Sequence, residues 1–354
     1  MKKNSLFYLL LPFFALFLNV SEVLARDAQG RYVIAYFENG KYSDFDRQKL
    51  LILNQMDKLG LKDKYVLPDE LRFSPGWNIP EEDLEAVAEK VMALKDVDMI
   101  FSMGTSATKA LLAKNNYKTP IIGVAISDPY RSAIVSSQTT SNTNNLAVLY
   151  VPNGWLQVFN TLHEIVGFNK MGIIYEDTVN GRSYANLDDS IEAGRNFGFS
   201  VLEYPFYNPR NPFESCRDGV KNLAARGVDA LFISDIECFD KNIVDAESII
   251  KLANSYKIAT ISNLGDLHVS EGTLISVSSY SSASLGDFFA TRIKKILEDG
   301  AKPSDFPINA DFNPEIIINF QTAQEIGADF SMPVMLSADK IYDSIKEEET
   351  NEEE

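Results

Sequence analysis

Residues 98–114, DMIFSMGTSATKALLAK, decide the fold class. Residues 98–103 form a short apolar run that predicts a buried β-strand, and Gly104 permits a sharp turn out of it. Residues 106–114 then follow a helical pattern, with serine and threonine where helix N-termini favour them. A buried strand that turns directly into a helix is one unit of a parallel sheet with crossover helices.

The same alternation runs through most of the chain. Strands are predicted at 32–37, 98–103, 120–125, 146–150, 170–175, 199–204, 229–234, 258–262 and 274–277, and the main helices at 44–59, 80–94, 106–114, 155–166, 184–197, 213–226 and 242–256. The two successive sets, near 31–150 and 151–277, predict an α/β protein with two Rossmann-like lobes, parallel sheets and a ligand cleft between the lobes. We expect lobe 1 to comprise 26–150 and about 278–312, and lobe 2 to comprise 151–277 and about 313–343.

The two ends of the chain are expected to lie outside these lobes. Lys2 and Lys3, the apolar run 6–20 and the small residues at 23–25 predict a signal peptide, 1–25, cleaved after Ala25. The alternative is an uncleaved anchor, but the run contains Pro12 and is shorter than the about 20 residues of a membrane span. No cysteine lies near the cleavage site, so we expect a periplasmic protein that is not a lipoprotein. The acidic segment 344–354 predicts a disordered tail.

Composition excludes several functions. The 354 residues carry a net charge of −17, which disfavours nucleic acid as a partner. With only two histidines the chain cannot assemble a structural zinc site. We expect no metal, no cofactor and a monomer.

Polar residues follow the strands, where the carboxyl ends of a doubly wound sheet bind ligands. Thr105, Ser106 and Thr108 surround a helix N-terminus, which either is simply capped or holds a ligand carboxylate. The other candidate ligand-binding residues are Asp128, Asn180, Arg182, Ser183, Asp235 and Asn263, each of which could instead be a turn or cap residue. Tyrosines 42, 130, 207 and 280 fall in the same loops, and Tyr280 is counted as a candidate.

The two cysteines, Cys216 and Cys238, are both expected at this rim. Export would permit a disulfide between them, and two buried thiols are the alternative. For catalysis, Ser106, Asp235 and His268 follow the chain order of a serine hydrolase. Because Thr108 replaces the second glycine of the nucleophile turn, we expect no enzyme.

From about residue 32 to 340 the chain resembles the ABC-type solute-binding proteins that include tryptophan- and tyrosine-binding receptors, which have a type I periplasmic-binding fold. The segments that carry this resemblance are FENG (37–40), GTSATKAL (104–111), ISDPYRSAIV (126–135), VDALFISD (228–235), YKIATISN (256–263) and IINFQTAQEIGADFSMPVMLSADKIYD (317–343).

The resemblance implies that a small ligand binds between the lobes, that the hinge closes, and that the closed form delivers the ligand to an ABC permease. It implies that Ser106 and Thr108 hold a carboxylate and that Glu38 and Asn39 close the pocket. Asp128, Asn180 and Asp235 would then hold polar or amino groups, and Arg182 could meet a second acidic group. The alternative in another class is a periplasmic ligand-sensing module that acts on a signalling partner.

Overall fold

Two β-sheets organise the protein. The computed structural model describes residues 26–77, 79–206 and 211–345. The predicted signal peptide and residues 346–354 of the predicted tail lie outside this range. None of the helices within the described residues has the length and hydropathy needed to cross a membrane.

The first sheet is parallel throughout, with strand order β2-β1-β4-β5-β6 and β3 beside β1. Its strands are apolar on both faces because helices cover both sides. The strands are β1 (Tyr32–Glu38), β2 (Tyr65–Val66), β3 (Arg72–Phe73), β4 (Met99–Met103), β5 (Ile121–Val124) and β6 (Leu146–Val148), and the helices between them are α1 (Ser43–Met56), α2 (Glu81–Met92) and α3 (Thr105–Ala113).

The second sheet has seven strands in the order β13-β12-β11-β10-β9-β7-β8. The strands are β7 (Lys170–Glu176), β8 (Ser200–Phe206), β9 (Ala230–Ile233), β10 (Ala259–Ser262), β11 (Ile275–Ser278), β12 (Glu315–Asn319) and β13 (Lys340–Tyr342). The accompanying helices are α4 (Gly154–Val166), α5 (Val179–Tyr184), α6 (Leu187–Phe197), α7 (Pro212–Ala225), α8 (Ala246–Ser255), α9 (Asp266–Val269), α10 (Ser282–Asp299), α11 (Phe320–Ile326) and α12 (Met332–Ser337).

The prediction of two α/β lobes with parallel sheets is confirmed, and one strand pair of the second sheet departs from the parallel arrangement. Strands β11 and β12 are antiparallel. A parallel neighbour requires a crossover over its own sheet. Here the chain instead leaves β11 for α10, which packs against α1 on the first sheet, and then returns to β12.

The predicted helix 184–197 is two helices. Asn186 takes a left-handed conformation with φ 52° between α5 and α6, and this breaks the helix. The predicted helix 242–256 begins only at Ala246, where the Asp245 side chain accepts a hydrogen bond from the Ser248 N–H. The second difference reflects a loop after β9 that is longer than the sequence pattern suggested.

The carboxyl ends of the two sheets face each other, and polar contacts join the loops across the gap. Ser127, after β5, donates from Oγ to Asn186 Oδ1 at 2.6 Å. Arg131 reaches α6, where its guanidinium lies 3.4 Å from Asp189 and 2.6 Å from Glu192. These contacts hold the carboxyl ends of the two sheets close together.

The two cysteines are joined in the structure. Cys216 lies on α7 and Cys238 in the short 3₁₀ turn Glu237–Phe239 after β9, with their Cα atoms 5.4 Å apart. The bond ties the loop that follows β9 to a helix on the outside of the second sheet.

Loss of the Cys216–Cys238 bond should destabilise the protein. In the chain-entropy model a disulfide that closes a loop of this size stabilises by about 3 kcal/mol. We expect the double variant Cys216→Ser/Cys238→Ser to lose about that much free energy of unfolding in denaturant titrations. Wild-type protein unfolded without reductant should show no free thiol, and a titre of two thiols would contradict the bond.

Stability should also depend on pH through Asp189. Burial raises the pKa of Asp189 to about 6. The positive charge of Arg131 opposes this shift, and repulsion from Asp128, Glu192 and Asp188 adds to it. Because the folded state holds this proton more tightly than the unfolded chain does, the contribution is favourable at low pH and is lost as pH rises from about 4 to 6.

We expect Asp189→Asn to remove this dependence. Between pH 4 and 7 the free energy of unfolding of wild type should fall by about 2–3 kcal/mol more than that of the variant. Denaturant titrations at the two pH values measure the difference. The matched control is Asp218→Asn on the exposed face of α7, which should keep the wild-type profile. Identical profiles for Asp189→Asn and wild type would contradict the prediction.

Candidate functional site

A cavity of about 160 Å³ lies between the two sheets. Its walls come from loops after β1, β4 and β5 of the first sheet and after β7, β9 and β10 of the second. Of the predicted site residues, seven line it: Asn39, Thr105, Ser106, Asp128, Asp235, Asn263 and Tyr280. Loops from both sheets therefore converge on one cavity.

One end of the cavity is the N-terminus of α3. Gly104 precedes this helix with φ 87°, and a Cβ there would lie 2.8 Å from the Phe45 ring, so the turn requires glycine. No side chain caps α3, and the first N–H groups of an α-helix have no partner within the helix. Thr105 Oγ1 is buried beside them without a hydrogen-bond partner. These neutral donors and the helix dipole suit a carboxylate.

Asp235 forms a second polar end. Its Oδ1 atom is sealed from solvent and has no hydrogen-bond partner among the described residues. Burial raises the pKa of Asp235 well above its usual value, nearby Asp44 adds repulsion, and Arg47 and the Tyr42 hydroxyl oppose the shift. Tyr42 is near Asp235, yet its own buried hydroxyl makes no well-formed hydrogen bond. An ammonium group would satisfy this carboxylate and restore its charge.

The fixed charge of the cavity wall is acidic. Its described lining residues include Asp44, Asp128, Glu176, Asp235, Glu237 and Glu315. Arg47 is the single cation among them, and it already pairs with Asp44 at 2.7 Å. Arg47 therefore offers little free charge to an anion, and a ligand carboxylate would depend on the α3 N-terminus.

Unpaired polar atoms concentrate at this cavity. Buried polar groups normally have hydrogen-bond partners, and an unpaired one costs about 1–3 kcal/mol. The lining residues with a buried side-chain atom that has no partner in the described structure are Asn39, Tyr42, Gln48, Thr105, Asp235 and Asn263. They come from both sheets, so a ligand that supplied their partners would hold the sheets together.

Two tryptophans form apolar walls. Trp77 packs against Phe45 with ring centroids 6.2 Å apart. Its indole lies directly over Gly40, where an added Cβ would be only 2.7 Å from the ring, so this packing requires glycine. Trp155, on α4, donates from Nε1 to the Ser127 carbonyl at 2.7 Å across the gap. Flat aromatic walls of this kind favour a ligand with an apolar, planar part.

Two of the predicted site residues on the first sheet do not reach the cavity. Glu38 accepts a hydrogen bond from the Tyr36 hydroxyl at 2.7 Å, because residues two apart on a strand share a face. Thr108 is fully buried within the first lobe and donates to the Gly104 carbonyl at 2.9 Å, where it secures the helix start.

Three predicted residues on α5 also lie elsewhere. Asn180 is exposed, and Arg182 is held outside the cavity by Asp188 at 3.2 Å and Asp177 at 3.8 Å. Ser183 contributes its carbonyl, which accepts from Ser127 Oγ at 3.1 Å. Asn180 and Gly181 lie inside α5 and not in a turn. A Cβ added at Gly181 would come within 2.4 Å of the Glu176 carbonyl oxygen.

Of the loop tyrosines, Tyr42 and Tyr280 line the cavity, while Tyr130 is largely exposed and Tyr207 lies outside the described residues. The cavity is also lined by five residues that the sequence pattern did not indicate: Asp44, Arg47, Trp77, Trp155 and Tyr184. Asp44 and Arg47 are three residues apart at the start of α1, and this spacing in a helix could have predicted their ion pair. Tyr184 contacts the Ser106 hydroxyl across the gap, which only the fold reveals.

The geometry does not assemble a serine hydrolase. His268 is buried, with Nδ1 2.9 Å from Ser262 Oγ and Nε2 3.2 Å from the Phe239 carbonyl oxygen. Burial lowers its pKa to about 4. The Ser106 hydroxyl instead pairs with Tyr184. Among the described residues, no group of three or more histidine, cysteine or acidic side chains is placed to hold a metal ion.

Three solved structures share this fold over most of their length. An ABC domain in complex with L-Trp from Streptococcus pneumonia is 19% identical over 87% of this chain and 99% of that one, with a TM-score of 0.68. A conserved domain protein from Vibrio cholerae is 16% identical, covering 88% and 99%, with a TM-score of 0.68. The open, ligand-free form of a substrate binding protein with adhesive properties from Clostridium difficile is 20% identical, covering 89% and 100%, with a TM-score of 0.58.

No curated protein matches the sequence. The model of the family described as ABC transporter substrate binding protein matches residues 60–342, which is most of the chain. Proteins of this family bind solutes outside the cytoplasm for ABC permeases and are not enzymes, so the expectation of a non-catalytic protein is confirmed. The chain belongs to the ABC transporter substrate binding protein family.

Proposed function

We propose that this chain is the periplasmic receptor of an ABC importer and that it binds a small, amino-acid-like solute with a carboxylate group. The observation that carries the proposal is the set of buried, unpaired polar atoms that both sheets direct into one cavity. A family fold alone would leave the ligand open, whereas unpaired groups specify its chemistry.

In this proposal the ligand carboxylate lies at the N-terminus of α3, next to Thr105 and Ser106. The ligand ammonium lies at Asp235, and the apolar part lies between Trp77 and Trp155. Asn39, Asn263 and Tyr280 add polar contacts, and Asp128 lines the opening beside Arg131. The solved complex with L-Trp supports an amino-acid ligand by analogy of fold.

Hinge closure is the proposed mechanism. The chain passes between the sheets near residues 149–154, 278–282 and 305–315, and α10 returns to pack on α1. We therefore propose lobe 1 as 26–150 with about 278–312, and lobe 2 as 151–277 with about 313–343. Ligand bound between the lobes would favour the closed form, which is the form that a permease would recognise.

We further propose that the protein acts in the periplasm as a monomer. The support is the sequence of residues 1–25, with its lysines, apolar run and small residues before the expected cleavage at Ala25. The strongly acidic net charge of −17 favours a freely diffusing protein over one held at anionic surfaces.

Thermal unfolding of the mature protein in the presence of single amino acids tests this function. A ligand present at 100 times its dissociation constant stabilises the folded state by about 2.7 kcal/mol, and this should raise the melting temperature by several degrees. We expect an aromatic amino acid such as L-tryptophan to do so. Tryptamine, which lacks the carboxylate, and indole-3-propionate, which lacks the amine, should each shift it less.

Site variants complete the test. Asp235→Asn should weaken binding of the amino acid by about 10- to 100-fold, since a hydrogen bond to a charged group contributes about 1.5–3 kcal/mol. Thr105→Val should act in the same direction with a smaller effect. Glu38→Gln, whose side chain lies outside the cavity, is the matched control. If tryptamine stabilises as well as L-tryptophan, the carboxylate part of the proposal is refuted.

A further inference from the structure

Helix α1 receives its N-terminal cap from the opposite lobe. The residue before α1, Tyr42, makes no side-chain cap. By contrast, α5, α7, α8, α10 and α11 are each capped by the residue directly before them. At α1 the acceptor is Asp240, which lies 197 residues away in sequence, between β9 and α8 of the second sheet.

The contact is a compact set of hydrogen bonds. The Ser43 N–H donates to Asp240 Oδ2 at 3.0 Å, and the Ser43 hydroxyl donates to Oδ1 at 2.6 Å. Asn242 donates from Nδ2 to the Ser43 hydroxyl at 2.8 Å. Asp240 is 1% exposed and Ser43 is half-buried, so the two bonds between them are partly shielded from water, whereas Asn242 is exposed. A carboxylate at this position also complements the positive end of the helix dipole.

Both partners are attached to the cavity wall. Tyr42 and Asp44, on either side of Ser43, line the cavity, and so do Asp235 and Glu237 just before Asp240. The loop that carries Asp240 is fixed from behind by the Cys216–Cys238 disulfide and by His268, whose Nε2 lies 3.2 Å from the Phe239 carbonyl oxygen. Separation of the lobes would break the Ser43–Asp240 bonds and leave the start of α1 uncapped.

We propose that Asp240 is a positioning residue that caps α1 across the cleft, so that lobe closure completes this helix and orients Tyr42 and Asp44 toward the ligand. The closed form is then stabilised by the protein's own contacts before any ligand bond is counted. The proposal rests on closure of two lobes as proposed above. Its test uses no ligand, so failure of the amino-acid screen and failure of the cap are separate results.

Hydrogen exchange of the ligand-free mature protein, read by mass spectrometry, tests the cap. Two segments report: residues 43–48 at the start of α1, and residues 183–190, which meet Ser127 elsewhere across the cleft. Loss of an N-cap typically costs about 1 kcal/mol, which corresponds to about fivefold. We expect Asp240→Ala to speed exchange about fivefold in both segments, because opening exposes both at once. Ser43→Ala removes the hydroxyl bonds but keeps the Ser43 N–H bond to Asp240, so it should speed exchange in both segments by a smaller factor.

The variants separate closure from local damage. Asp240 also accepts from the Asn242 N–H in its own loop at 2.8 Å, and Ser43→Ala leaves that bond intact. Asp240→Asn keeps an acceptor and should have a smaller effect than Asp240→Ala. The matched control is Asp245→Ala, which removes the cap of α8 within one lobe and should speed exchange only at the start of α8.

Three outcomes decide the proposal. Faster exchange in both segments for Ser43→Ala and Asp240→Ala, with Asp245→Ala confined to α8, supports it. Faster exchange limited to residues 43–48 would make Asp240 a local cap without influence on the lobes, and this overturns the proposal. Unchanged exchange in both segments overturns it as well.

Discussion

The structure depends on polar groups that are withdrawn from water at the facing ends of two sheets. Parallel strands end at the same edge, so every loop after a strand delivers its first residues to that edge. When two such edges meet, polar side chains lose water without gaining partners within the protein. Asp235, Tyr42 and Thr105 are in this position. Their unmet hydrogen bonds couple the chemistry of a ligand to the approach of the lobes.

The contacts that the lobes make with each other have a different character. Arg131 with Glu192 and Ser43 with Asp240 lie around the cavity rather than in it, whereas Ser127, which bonds to Asn186, is part of the cavity wall. Exposed ion pairs such as Arg131–Glu192 contribute about 0–1 kcal/mol, whereas the Asp240 contact is partly shielded from water. In the proposed hinge mechanism, the balance between open and closed forms would be set by a few modest bonds, which a ligand with several hydrogen bonds could outweigh.

The fold could be predicted from the sequence because strand and helix patterns are local. The run 98–114 contains a buried strand, a glycine turn and a helix start in one stretch, and the structure has each of them. The antiparallel β11–β12 pair could not be predicted in this way, since it depends on where α10 packs. The break at Asn186 was missed because the apolar pattern continues across a single left-handed residue.

The site was predictable where a residue directly follows a strand, as Thr105 and Asp235 do. It was not predictable where orientation depends on a neighbour. Glu38 follows the same rule, yet the Tyr36 hydroxyl on the same strand face turns it away from the cavity. Arg182 forms ion pairs with Asp177 and Asp188 outside the cavity. Charged side chains reach several partners, so spacing along the chain does not decide among them.

The acidic wall of the cavity limits which ligands can bind. Arg47 is already paired with Asp44, so the start of α3 is the one place in the described cavity wall that suits an anion. The second negative charge of a dianion would therefore meet carboxylates. In the proposed binding mode a zwitterion would match both ends, because its carboxylate would meet neutral N–H donors while its ammonium would face Asp235. The raised pKa of Asp235 reinforces this selectivity, since a bound cation lowers the free energy of the ionised carboxylate that it contacts. If the proposed binding mode holds, charge distribution, more than cavity size, determines the class of solute.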